Sequence, residues 1–102
     1  MKISYVYILS NAWNTVLYIG VTADLINRVL QHRMGLKSGF AHKYCTSKLV
    51  YFEEFFDIYH AFEREKQLKR WGRKKKLELI SKCNYAMRDL FEELNQGVNK
   101  PA

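Results

Sequence analysis

The sequence predicts a small α+β domain, a three-stranded antiparallel sheet flanked by helices in the chain order β-β-α-β-α-α. Three observations lead there. The chain has 102 residues, 48% of them hydrophobic and 15% aromatic, which is enough for one packed core without disulfides or a structural metal. Short runs of β-branched and aromatic residues alternate with longer stretches of helical spacing. The sole proline is Pro101, so no helix is interrupted from within. The domain is expected over residues 1–94, and Asn95 to Ala102 reads as a flexible C-terminal tail.

Ser4 to Leu9 has the composition of a strand, and so does Val16 to Thr22. Between them Ser10 to Asn14 carries turn chemistry, and so short a link favours an antiparallel hairpin. Asp24 is placed to cap a helix from Leu25 to about Met34, with Gly35 to end it. Gly35 to Thr46 is a loop carrying Gly39, Phe40, His42, Lys43 and Tyr44. Leu49 to Phe56 is the third strand. Asp57 is placed to cap a helix from Ile58 to Trp71, and Gly72 breaks it. A shorter basic helix follows from Arg73 to Lys82, and a last one is expected over Met87 to Leu94.

Charge narrows the partners. Lys and Arg number 17 against 10 Asp and Glu, a formal net charge of +7. A compact domain with that excess attracts polyanions. Cys45 and Cys83 stand far apart, and with His32, His42 and His60 they make no metal-ligand spacing. Neither a disulfide framework nor a zinc knuckle is therefore expected, and free thiols suit a reducing cytoplasm. Val6 to Leu9 is far too short for a signal or membrane segment, so a cytoplasmic protein without a membrane partner is expected.

Several residues fit poorly with a purely structural role. Alternation in the first strand puts Tyr5, Tyr7 and Leu9 on one face, opposite Val6 and Ile8. In the second strand Val16, Tyr18 and Gly20 oppose Leu17, Ile19 and Val21. With the aliphatic faces against a helix, Tyr7 and Tyr18 become neighbours on the other side. In the first helix Leu25, Ile26, Val29 and Leu30 form the apolar stripe, and Arg28 and His32 stack one turn apart on its flank. In the second helix Ile58, Ala61, Phe62, Leu68 and Trp71 follow helical spacing, and Glu65 falls inside that stripe. A carboxylate there is costly unless it is paired or binds a metal. Lys66 to Lys76 concentrates positive charge. Lys43, Lys69, Arg70, Arg73, Lys74, Lys75 and Lys76 are the candidate phosphate contacts, while Trp71 reads as a core anchor.

In combination these residues resemble the GIY-YIG nuclease superfamily. Tyr18-Ile19-Gly20 supplies the second half of the name motif and Tyr5-Val6-Tyr7 the first, with tyrosine where the name has glycine. Asp24-Leu25, Arg28 and His32 follow at matching spacing. Ala61 to Glu65, followed by Leu68-Lys69, is similar to the family's glutamate helix. The likeness runs from about Tyr5 to about Ile80 and is strongest to the small stand-alone, single-domain branch. An asparagine that several members carry after the glutamate helix has no clear match, Asn84 being the nearest.

The resemblance implies hydrolysis of a phosphodiester with one divalent metal, Mg²⁺ or Mn²⁺, held by Glu65 with waters and substrate phosphate completing its shell. It implies catalytic roles for Tyr7, Tyr18, Arg28, His32 and Glu65. Arg28 would set its planar fork on non-bridging phosphate oxygens. Either Tyr7 or His32 would take the proton of the attacking water, and Tyr7 would need a nearby cation to lower its pKa from about 10. Tyr18 would orient water or phosphate. The expected partner is nucleic acid, DNA ahead of RNA, without a small-molecule cofactor, and the protein would be a monomer or weak dimer. The alternative is a DNA- or RNA-binding module that keeps the fold without catalysis.

Overall fold

The computed structural model describes residues 2–34 and 46–94. Its strands are β1 (Ser4–Ser10), β2 (Leu17–Thr22) and β3 (Lys48–Phe55), and its helices are α1 (Leu25–Arg33), α2 (Ile58–Arg70) and α3 (Arg73–Cys83). The three strands form one antiparallel sheet in the order β2-β1-β3. The α+β class read from the sequence is the class observed. None of these helices is long and apolar enough to cross a membrane.

The β1–β2 hairpin owes its register to its turn. The Asn11 side-chain carbonyl accepts from the backbone of Thr15 at 2.8 Å and of Val16 at 3.1 Å, replacing ladder bonds that the turn cannot make. Asn14 takes the left-handed conformation, φ 58°, which asparagine tolerates better than most residues. The resulting register sets Tyr7 opposite Gly20 and Leu9 opposite Tyr18. The β1–β3 ladder slips between Ile8 and Leu9, a bulge of the kind that bends a strand.

Central position explains why β1 is buried along nearly its whole length. One face packs Val6, Ile8, Ile19, Val50 and Tyr51 against Ala61 and Leu68 of α2 and Ile80 of α3. The opposite face packs Tyr7, Leu9 and Leu49 against Leu25 and Val29 of α1 and against Phe91. The tyrosine face is thus covered by a helix, as the aliphatic face is. Asp24 and Asp57 do cap α1 and α2, accepting from the backbone of Asn27 and Tyr59 respectively. Gly72 separates α2 from α3 in an extended conformation.

Three local expectations change. Phe62, expected on the buried stripe of α2, is 46% exposed, and Leu30 of α1 is exposed as well, because each helix lies on a narrower strip of sheet than its apolar arc. The segment from Met87 to Leu94 is helical only over 91–94. Met87 is left-handed, φ 53°, and Asn84 ties the stretch down. Its amide donates to the carbonyls of Val50 at 3.0 Å and Arg88 at 2.8 Å, and its side-chain oxygen accepts from Arg88 at 3.0 Å. Asn84 is therefore a fully engaged structural residue. The loop carrying Lys43 and the tail over 95–102 lie outside the described residues.

Candidate active site

Tyr7 is the inner residue of the site. Its ring is fully buried in the central strand and lies over Gly20 of β2. A Cβ built on Gly20 would stand 2.6 Å from the ring's Cζ and closer still to the hydroxyl oxygen. Any side chain at position 20 would displace the ring, so glycine here is a requirement of packing. Tyr18, diagonal to Tyr7 across the hairpin, brings its ring centroid to 6.3 Å from that of Tyr7.

The last turn of α1 closes over both phenols. His32 is buried, with its Nε2 3.3 Å from the Tyr7 hydroxyl. Its ring meets that of Tyr18 edge-on at 5.1 Å and that of Tyr7 at 6.1 Å. Arg28, one turn earlier and half-buried, acts on the Tyr7 phenol both as a hydrogen-bonding partner and as a charge. The four-residue spacing on α1 is what stacks Arg28 and His32 over one spot.

Glu65 arrives from α2, which packs on the other face of the sheet. It is flanked by the fully buried Ala61 and Leu68, and its side chain is 18% exposed. Its charge nevertheless reaches the Tyr7 phenol, as the weakest of the influences on it. The carboxylate pairs with Lys69 one turn on, Nζ to Oε2 at 3.2 Å.

These surroundings set the acidity of Tyr7. Burial raises its pKa most and the neighbouring Tyr18 adds to it. Arg28 pulls the other way, Glu65 adds a further upward push, and the value settles at about 12. The expected lowering by a nearby cation is real but loses to desolvation. At neutral pH the group is therefore a phenol, with a proton to donate.

A divalent ion fits this donor set only in one manner. Among the described residues no group of three His, Cys, Asp or Glu is placed to hold a metal. Glu53 of β3 is held by both Nε and Nη2 of Arg64 at 2.9 Å. A hard ion such as Mg²⁺ keeps most of its waters and takes one or two carboxylates plus substrate phosphate, and a single glutamate that keeps part of its side chain exposed suits that mode.

The basic run divides by location. Lys69 and Lys76 line a cleft of about 320 Å³ with Leu17, Tyr18 and Ile19, so these two cations open beside a member of the site. Arg70 joins His60, Glu63, Arg64, Lys66 and Gln67 around a separate hollow of about 500 Å³. Lys74 is exposed. Arg73 does not fit the phosphate role, because its guanidinium donates to the carbonyls of Thr15, at 3.0 Å, and Asn14, clamping the hairpin turn. Lys75 sits 4.3 Å over the ring of Trp71, and Trp71 packs on the core as anticipated. The Gly20–Tyr7 contact and the Lys69–Glu65 pair were missed in the sequence. The first follows once the hairpin register is counted, and the second is an ordinary i,i+4 pair that the odd position of Glu65 should have drawn out.

Comparison with known proteins gives a consistent result. The model of the GIY-YIG catalytic domain matches residues 3–78, a span that includes Tyr7, Tyr18, Arg28, His32 and Glu65. A UPF0213 protein of Pediococcus pentosaceus is 35% identical over 86 residues, covering 84% of this chain and 90% of its own. A UPF0213 protein of Clostridium perfringens is 35% identical over 92 residues, covering 90% and 98% respectively. The solution NMR structure of a UPF0213 protein from Bacillus halodurans superposes with a TM-score of 0.55 at 26% identity, covering 85% of this chain and 92% of that one. With Tyr7 packed over Gly20 and beside Tyr18, its α1 arginine and histidine and its α2 glutamate, this chain belongs to the GIY-YIG catalytic-domain family, a family of nucleases, and to the small proteins of its UPF0213 group.

Proposed function

We propose that the protein is an endonuclease that hydrolyses phosphodiester bonds of nucleic acid, DNA ahead of RNA, with one Mg²⁺ or Mn²⁺ at Glu65. The observation that carries this reading is the convergence on Tyr7, whose phenol is bonded by His32, bonded and charged by Arg28, and exposed to the charge of Glu65. The net charge of +7 supplies attraction to a polyanion.

The residues divide the work by depth. Arg28 and Tyr18 are half-buried and meet the substrate, Arg28 by a two-point hold on the phosphate. Tyr7 and His32 lie behind them, so substrate entry has to part that outer pair. Tyr7 carries its proton at neutral pH and donates it to an unprotonated His32 Nε2. The Tyr7 oxygen then takes a proton from the attacking water while its own passes to His32. In this reading the two residues work in series, Tyr7 next to the water and His32 behind it, Nε2 3.3 Å from the phenol. The water oxygen bonds to phosphorus, the bond to the leaving oxygen breaks, and that oxygen takes a proton from solvent. Glu65 would hold the divalent ion, which would supply positive charge to offset the negative charge growing on the leaving oxygen.

Purified protein with plasmid, branched DNA and structured RNA, each with Mg²⁺, Mn²⁺ or EDTA, tests the reading. Cutting that EDTA abolishes and that Glu65→Gln and Arg28→Ala each depress supports it. Cutting unaffected by either substitution overturns the assignment. The complete burial of Tyr7 favours a second reading, a nucleic-acid-binding domain without catalysis. Binding that weakens steeply with salt, with no metal-dependent cutting of any substrate, decides for it.

A further inference from the structure

Glu65 and Lys69 have more to do than stabilise α2. The carboxylate is mostly covered, 18% exposed, while the Lys69 side chain is 55% exposed. The pair joins a fixed, partly desolvated anion to a cation on a long and largely hydrated stem. Without a counter-charge, Glu65 would stand uncompensated between two fully buried residues, Ala61 and Leu68, which is costly. Lys69 removes that cost. Yet Lys69 also borders the cleft formed with Leu17, Tyr18, Ile19 and Lys76. One flexible ammonium therefore has two sites within reach, the carboxylate at 3.2 Å and a second cation's neighbourhood beside Tyr18.

From this we infer that Lys69 is an exchangeable counter-ion. It occupies Glu65 in the ion-free protein, yields the carboxylate when a divalent cation arrives, and then turns to a substrate phosphate in the cleft beside Lys76. The inference rests on the proposed placement of the metal at Glu65. Three consequences follow by linkage. Metal and Lys69 compete for one carboxylate. Metal binding and phosphate binding by Lys69 favour each other, and by the same factor in both directions. Without metal, Lys69 contributes little to nucleic-acid binding, because Glu65 holds it.

Two measurements test this on the intact protein. Mn²⁺ binding, read by the loss of the free-ion EPR signal, is compared for wild type, Lys69→Met, Lys69→Arg and Glu65→Gln. Lys69→Met should bind Mn²⁺ about 1.5- to fivefold more tightly, the scale of breaking a partly exposed ion pair. Lys69→Arg should bind no more tightly than wild type, since its fork keeps Glu65 engaged. Equal or weaker binding by Lys69→Met would overturn the inference, because Lys69 would then be supporting the bound ion through the other carboxylate oxygen. Unchanged binding by Glu65→Gln would overturn both the inference and the metal placement, a result distinct from the first.

The second measurement is oligonucleotide affinity in EDTA as a function of salt, where nothing is cut. Lys69→Met should barely alter the salt slope in the wild-type background. In the Glu65→Gln background, where Lys69 is released, it should lower the slope by about one phosphate contact, roughly 0.7–0.9. An equal change in both backgrounds would mean that Glu65 never held Lys69 back. Circular dichroism of each variant separates these effects from loss of fold.

Discussion

Substituting Gly20 by alanine tests the packing of Tyr7 and its place in the reaction together. The added Cβ would lie 2.6 Å from Tyr7 Cζ, whereas non-bonded carbons sit comfortably at about 3.5–4.0 Å. The ring has to move by about 1 Å. Tyr7 is fully buried and packs with Leu25 and Val29, so α1 resists the displacement. Overpacking of this kind costs about 1–3 kcal/mol, and in a domain of this size each kcal/mol lowers Tm by about 4–8 °C. A reacting group misplaced by about 1 Å loses on the order of 100-fold in rate. Gly20→Ala should therefore melt several degrees lower and cut, per folded molecule, about 100 times more slowly, with KM changed far less than kcat. Thermal melting and single-turnover cleavage of a labelled oligonucleotide read the two effects. A lowered Tm with an undiminished rate would remove Tyr7 from the chemistry. An unchanged Tm would refute the contact itself.

Three further outcomes are expected. The Tyr7 phenol ionises at about 12, against 10 for the free residue. The native state therefore holds a proton that the unfolded chain releases first. The associated stability, on the order of 2–3 kcal/mol, is present below pH 10 and lost between pH 10 and 12. Tyr51 is also held protonated to high pH, by burial and its bond to Glu53, so an absorbance titration at 295 nm should show late phenols of which Tyr7→Phe removes the one near 12, whereas a curve that Tyr7→Phe leaves unchanged around pH 12 contradicts it. Asn84→Ala should cost about 2–4 kcal/mol in urea unfolding, because it leaves buried backbone groups without partners, while cleavage per folded molecule stays the same. A lost rate at full stability would instead place Asn84 in the chemistry. Gly72→Ser should stabilise by about 0.5–1 kcal/mol, through a cap bond that glycine lacks and a stiffer unfolded chain. Its backbone is already extended, and a Cβ there meets nothing within 4 Å. A fall in Tm would contradict this.

How much was legible depended on whether the cause was local. Asp24 and Asp57 announced their helices because a capping carboxylate acts on backbone two or three residues away. The hairpin was readable from its short, turn-rich link. The order β2-β1-β3 was not, since β3 pairs with β1 at separations from 38 to 51 residues and through a bulge at Ile8 and Leu9. Glu65 stood out because a charge within an apolar stripe needs a reason. Phe62 misled for the opposite cause, since helical spacing shows an apolar arc and not the width of the surface beneath it. Arg73 could not be separated from its basic neighbours, because its carbonyl partners lie nearly sixty residues back in the hairpin turn. The sequence shows that a base at Tyr7 needs a cation beside it, and Arg28 is there, but the net shift is upward. Burial decides it, and burial of one ring depends on Gly20, Tyr18 and α1 jointly.

Single-turnover cleavage by Arg28→Ala, Glu65→Gln and the double variant, under one set of metal and salt conditions, bears most directly on a single shared site. If guanidinium and carboxylate serve one phosphate in one transition state, the double variant should be hardly slower than the worse single one. Losses that multiply would show two residues acting independently, and the convergence on Tyr7 would then have no catalytic meaning.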